Sequence, residues 1–245
     1  MNGSRRAERA GRVGRGGRGG HGGSFVSPAT RARLRTVAVP VALVLGRLGL
    51  TPNALSIVGF LGTCVAAVAA GQQAWILAGV LVIAFGIFDL FDGALARATG
   101  TASAFGAFLD STLDRTGENL VLAGVAIGCA VGGFPEGVGL AALAMATSSI
   151  VTYTRARAEA VGLTGEVGIA PRPERLVVLA AGLILAGALG GVGWYPVPAG
   201  QVLIDEPLRG GSIVLLFALG VVTITSAITI IQRIVHVHDQ SNGHQ

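Results

Sequence analysis

From Asn53 onward the apolar residues run in stretches of spanning length, at about 54–70, 74–96, 104–130, 137–154, 176–193 and 211–232. Short connections rich in Gly, Pro or Arg separate them. The pattern predicts an all-α integral membrane fold with six transmembrane helices. Residues 28–49 mix apolar positions with Arg31, Arg33, Arg35 and Arg47 and contain Pro40, which predicts an interfacial juxtamembrane helix rather than a span. Thr51-Pro52-Asn53 marks the turn into the first span, because Pro52 fits a first helical turn and Thr51 can cap it. No stretch repeats another, which removes the case for an inverted-repeat transporter.

Composition supports the membrane assignment. Of 245 residues, 51% are hydrophobic and 13% charged, where a soluble domain carries about a quarter charged. All 18 basic residues are Arg, most of them in the N-terminal region or in short connections, so the net charge of +5 describes loops. Residues 1–27 have no apolar core for a secretory signal and too much Gly and Arg to pack, which predicts a disordered basic tail. Arg/Gly segments also occur in nucleic-acid binders, but beside a membrane domain this one reads as topological bias or attraction to anionic headgroups, and no nucleic acid is expected. The membrane domain is placed at 28–235 and a polar tail at 236–245. Cys64 and Cys129 sit in apolar runs without metal-type spacing and read as buried thiols.

Arginines alternate between the connections. The N-terminal region, the link at Arg97 and the link holding Arg155, Arg157, Arg172 and Arg175 are basic, whereas the links at 71–73, 131–136 and 194–210 hold only Arg209. The positive-inside rule then puts both termini and the Arg97 link on the cytoplasmic face of a multi-pass plasma-membrane protein.

That link is bracketed by four carboxylates. Asp89 and Asp92 are i, i+3 at the end of the second span, and Asp110 and Asp114 are i, i+4 on the third, so each pair leaves one helix face. An Asp at a helix centre opposes insertion by about 2.5–3.5 kcal/mol, so four require a cationic partner. Hard cations such as Mg2+ or Mn2+ take oxygen ligands and share their shell with phosphates. Gly93 and Gly106 leave room for a phosphate or nucleotide beside the carboxylates, and Arg97 is placed to meet a phosphate oxygen. Simple packing, with small residues at helix contacts and the acids paired to Arg97 and Arg115, accounts for Gly106 alone as well as a binding role does. A metal or proton transporter would explain the acids but not the glycines, Arg97 or the later arginines.

The residues Asp89-x2-Asp92-Gly93-x2-Ala96-Arg97-x8-Gly106-x3-Asp110-x3-Asp114 match the motif of the CDP-alcohol phosphotransferase family, which this chain resembles over roughly residues 28–235. The resemblance implies a six-helix, dimeric membrane enzyme that moves a phosphatidyl group from a CDP-linked lipid such as CDP-diacylglycerol to an alcohol and releases CMP. It implies that Asp89, Asp92 and Asp110 hold the metal, and that Asp114 is a nearby ligand and the catalytic base. Asn53, Gly93, Arg97 and Ser103 would contact the CDP moiety, with Gly106 beside them. Glu118 extends the Asp110–Asp114 face by a turn, either as the partner of an arginine across the site or with a direct role.

A second cluster bears on the acceptor. Thr152-Tyr153-Thr154-Arg155-Ala156-Arg157-Ala158-Glu159 and Gly168-Ile169-Ala170-Pro171-Arg172-Pro173-Glu174-Arg175 put four arginines around one connection. They read either as positive-inside charge or as a pocket for a second dianion. Within the family these segments resemble those of phosphatidylinositol phosphate and archaetidylinositol phosphate synthases, which implies inositol 1-phosphate as acceptor. Arg155, Arg157, Arg172 and Arg175 would then bind its phosphate, with Arg233 contributing from the last helix. The alternative acceptor is glycerol 3-phosphate, giving phosphatidylglycerol phosphate.

Overall fold

A computed structural model describes residues 39–169, 171–193 and 209–242. The basic tail, the first part of the interfacial helix and the end of the polar tail therefore lie outside the described residues. Residues 39–47 form α1, followed by α2 (Pro52–Gly71), α3 (Trp75–Gly86), α4 (Phe88–Thr99), α5 (Ala104–Val131), α6 (Pro135–Ala160), α7 (Arg172–Ala188) and α8 (Gly210–Asn242). No strand occurs among the described residues.

Local chemistry sets these boundaries. Thr51 caps α2 by accepting from the Ala54 N–H at 3.2 Å, with Pro52 in the first turn, and Ser103 caps α5 by accepting from the Gly106 N–H at 3.0 Å. Gly100 ends α4 at φ +67°, a backbone conformation that glycine adopts without strain. The stretch expected as one helix over 74–96 is interrupted at Ile87. There the Leu90 N–H bonds the Ile87 carbonyl at 3.0 Å, a tighter i, i+3 turn that separates α3 from α4.

Four helical stretches combine the length and the composition needed to cross a membrane: Pro52–Gly71, Trp75–Thr99, Pro135–Ala160 and Gly210–Asn242. The other two expected spans fall short for separate reasons. Helix α5 has 28 residues but carries Asp110, Asp114, Arg115 and Glu118, and α7 has 17 residues. The polar segment after His236 continues as helix through Asn242 rather than leaving α8.

The long helices close a ring in the order α2, α5, α6, α8, α7, α3 and back to α2, with α4 continuing below α3 against α2. Small residues let neighbours approach closely, which is how helices associate where lipid and side chains are equally apolar. A Cβ at Gly124 would lie 2.1 Å from the Ala67 carbonyl oxygen, and one at Gly128 would lie 2.2 Å from that of Ala70. Leu122, Val125, Leu179, Leu183, Leu215 and Leu219 fill the interior. Large apolar residues such as Leu61, Val68, Phe217 and Ile224 face outward, the inverse of a water-soluble surface. Helix α1 rests on the site end, where Ala42, Leu55, Ala94 and Leu95 form a small second core.

Candidate active site

The ring opens at the end where α4 meets α5, over a cleft lined by Ser56, Asp89, Asp92, Asp110, Asp114 and Arg172 and floored by apolar residues including Val82 and Leu176. One carboxylate oxygen from each of Asp89, Asp92 and Asp110 lies within 4.8 Å of the others. The structure thus brings together three of the four acids expected as metal ligands. Their all-oxygen donor set suits a hard divalent cation and not a thiophilic one. Asp92 is buried, and its Oδ2 accepts from Ser56 Oγ at 2.5 Å, which orients the carboxylate from α2.

Asp114 stands outside that trio, joined to Asp89 through an arginine. Arg172, at the first turn of α7, donates from Nη1 to Asp89 Oδ2 at 3.1 Å and to Asp114 Oδ2, and from Nη2 to the Asp114 carbonyl oxygen at 3.4 Å. Its Nε is buried without a hydrogen-bond partner, 4.0 Å from Glu118 Oε2. One turn deeper on α5, buried Glu118 takes a bidentate pair from buried Arg175, Nε to Oε1 and Nη2 to Oε2, each at 3.1 Å. Of the two roles open to Glu118, the structure places it as the partner of an arginine across the site. Five carboxylates facing two guanidiniums leave a negative excess that a divalent cation would offset.

Above the acids, Asn53, Ser103 and Gly106 meet in a corner. A Cβ at Gly106 would come within 3.1 Å of both Asn53 Oδ1 and Ser103 Oγ. Arg97 is exposed and folds over Gly93, where a Cβ would meet its Nη1 at 3.2 Å. The residues expected at the nucleotide thus fall into two groups, Asn53 and Ser103 around Gly106, and Arg97 over Gly93.

The five arginines expected at the acceptor divide into groups. Arg172 and Arg175 reach the acids directly. Arg155 pairs with Glu159 at 2.9 Å and Glu166 at 2.6 Å, while Arg157 is exposed on α6. Buried Arg233 donates from Nε to the Val167 carbonyl at 2.9 Å and from Nη1 to that of Val151, which ties α8 to the connection between α6 and α7. Arg115 is exposed and makes no ion pair among the described residues.

Ser56 is the participant that sequence reasoning missed. Its signal was present, since it lies i+3 from Asn53 on the same face of α2. Which arginine would pair with Glu118 had no comparable signal, because it depends on how α5 and α7 are rotated about their axes.

Comparison with known proteins supplies the identity. A family model for CDP-alcohol phosphatidyltransferase matches residues 49–237. A phosphatidylinositol phosphate synthase of Mycolicibacterium smegmatis is 34% identical over 210 residues, covering 84% of this chain and 85% of that protein. An archaetidylinositol phosphate synthase of Methanothermobacter thermautotrophicus is 35% identical over 207 residues, covering 84% and 91%. Among solved structures, Mycobacterium tuberculosis phosphatidylinositol phosphate synthase superposes with TM-score 0.68 and 30% identity, both in complex with manganese and citrate and with CDP-DAG bound. These matches cover 82% of this chain and, respectively, 88% and 94% of the solved chains. The acid-lined cleft therefore belongs to a transferase, and the chain is a member of the CDP-alcohol phosphatidyltransferase family.

Proposed function

We propose that this enzyme transfers a phosphatidyl group from CDP-diacylglycerol to inositol 1-phosphate, giving phosphatidylinositol phosphate and CMP. One observation carries the reading: carboxylates from α4 and α5 converge at one point, directly against a guanidinium wall supplied by α7. Two phosphorylated partners need such a divided site, with an acidic half for a metal-borne diphosphate and a basic half for the phosphate of the alcohol.

The corner of Asn53, Ser103 and Gly106, with Arg97 over Gly93, would seat the cytidine diphosphate at the mouth. Asp89, Asp92 and Asp110, and Asp114 at longer range, would hold Mg2+ or Mn2+. That ion, when bound, neutralises the diphosphate and stabilises the departing CMP. Arg172, with a buried Nε donor unspent, would lead Arg155, Arg157, Arg175 and Arg233 in receiving the acceptor phosphate. Asp114 takes the proton from the attacking hydroxyl, whose oxygen bonds the phosphorus carrying the diacylglycerol. The phosphoanhydride bond to CMP breaks, and CMP leaves with the electron pair.

The reading extends to the whole chain. It includes six crossings after an interfacial helix at 28–49, a basic tail at 1–27, a membrane domain at 28–235 and a polar end at 236–245. Both termini and the cleft face the cytoplasm at the plasma membrane, and two copies assemble. The arginine alternation supports the orientation, and the family resemblance supports the pairing. Purified protein given CDP-diacylglycerol, a divalent metal and either inositol 1-phosphate or glycerol 3-phosphate should make lipid product from the inositol compound. Product from glycerol 3-phosphate alone would sink the acceptor assignment.

A further inference from the structure

Residues 163–169, between α6 and α7, form no regular element, yet side chains from elsewhere fasten them along their length. Gln240, in the last turns of α8, grips one residue completely. Its Oε1 accepts from the Thr164 N–H at 3.1 Å and from the Thr164 hydroxyl at 3.0 Å, and its Nε2 donates to the Thr164 carbonyl at 2.8 Å. Arg155 holds Glu166 at 2.6 Å, and Arg233 holds the Val167 carbonyl at 2.9 Å. Gly168, at φ +137°, passes so close to α8 that a Cβ there would lie 2.3 Å from Thr229 Cγ2. A few residues later the same segment delivers Arg172 to Asp89 and Asp114.

A primary amide offers both an acceptor and donors, so Gln240 satisfies the N–H and the C=O of a residue that no sheet or helix would otherwise pair. The continuation of α8 beyond the span expected at 211–232 is what brings Gln240 to Thr164. We propose that Gln240 is a positioning residue for the phosphorylated acceptor. By clamping Thr164 it fixes the path on which the connection carries Glu166, the partner of Arg155, and then Arg172. Without the clamp, the acceptor would have to order this segment as it binds, which weakens its affinity. The inference rests on the acceptor reading above for its kinetic consequence, but not for the clamp itself.

Gln240→Ala should raise KM for inositol 1-phosphate about fivefold, the effect of roughly one net hydrogen bond, while KM for CDP-diacylglycerol stays unchanged. Gln240→Glu keeps an acceptor for the Thr164 N–H but sets an anionic oxygen against the Thr164 carbonyl in place of the donor, so its KM for inositol 1-phosphate should rise as well. An unchanged acceptor KM, or both KM values rising in parallel, overturns the positioning role. Amide hydrogen exchange across 163–169, measured without substrates, should quicken in Gln240→Ala, and unaltered exchange overturns the clamp whichever alcohol is used. A wild-type enzyme that takes glycerol 3-phosphate in place of inositol 1-phosphate overturns the acceptor reading alone. The same KM and exchange comparisons, run with that alcohol, then decide the role of Gln240.

Discussion

Asp114 and Arg172 are bound to each other in the structure, and the same Nη1 reaches Asp89, so the arginine links Asp114 to one of the three acids that converge. Asp114→Asn keeps the size and one acceptor oxygen but removes the proton affinity. Turnover should fall by about 100- to 10,000-fold, while CDP-lipid binding persists because Asp89, Asp92 and Asp110 are untouched. Wild-type turnover in that mutant would remove Asp114 from the base role. Arg172→Ala removes donors that touch two acids, and its acceptor KM should rise by about 10- to 100-fold, the effect of losing charge-assisted bonds. Lysine should not fully restore it, since one ammonium in the place of Nη1 leaves the Nη2 bond to the Asp114 carbonyl unmade. An unchanged KM in Arg172→Ala would confine that residue to holding the acids. Much at this scale was legible in the chain, because i, i+3 and i, i+4 spacing places Asp89 with Asp92 and Asp110 with Asp114 however the helices pack. The choice of Arg175 as the partner of Glu118 was not, since it depends on the relative rotation of α5 and α7.

The position of the acids depends on how closely α2 and α5 approach, and glycines decide that distance. A methyl group at Gly124 would lie 2.1 Å from the Ala67 carbonyl, which no side-chain movement can relieve because the obstacle is backbone. Gly124→Ala should therefore push the two helices apart and destabilise the fold by about 1–3 kcal/mol, read as a lowered Tm in detergent. Gly220→Ala is the matched comparison, since a Cβ there meets nothing within 4 Å. That change should be neutral or stabilising by up to about 1 kcal/mol, because alanine loses less backbone freedom in a helix. Equal Tm values for the two variants would refute the close-approach account. Hydrophobic runs alone predicted the helices well and their interruptions poorly. The break at Ile87 lies inside a continuous apolar stretch, and what marks it is a local change from i, i+4 to i, i+3 bonding that periodicity does not register.

Across the whole molecule, the ring has two chemically different ends. At one lie the acids, the arginine-bearing connection and the C-terminal turns of α8, and at the other lie the short turns after α2 and α5 at Gln72–Gln73 and Gly132–Gly133. Burial within the chain alone does not identify the spanning helices. Helix α5 carries charge because its acids face the cleft, so it fails a composition test even though it closes the ring between α2 and α6. If all six walls cross the bilayer, every turn at the acid end must share one side and every turn at the other end the opposite side. Cysteines placed singly at Gly162 and at Gly133, in a background lacking Cys64 and Cys129, test this directly. In right-side-out vesicles a membrane-impermeant maleimide should label position 133 and spare position 162, and inverted vesicles should reverse the pattern. Labelling of both positions from one side would break the six-crossing topology. Labelling of position 162 from outside would place the cleft away from the cytoplasmic CDP-lipid and metal on which the proposed chemistry depends.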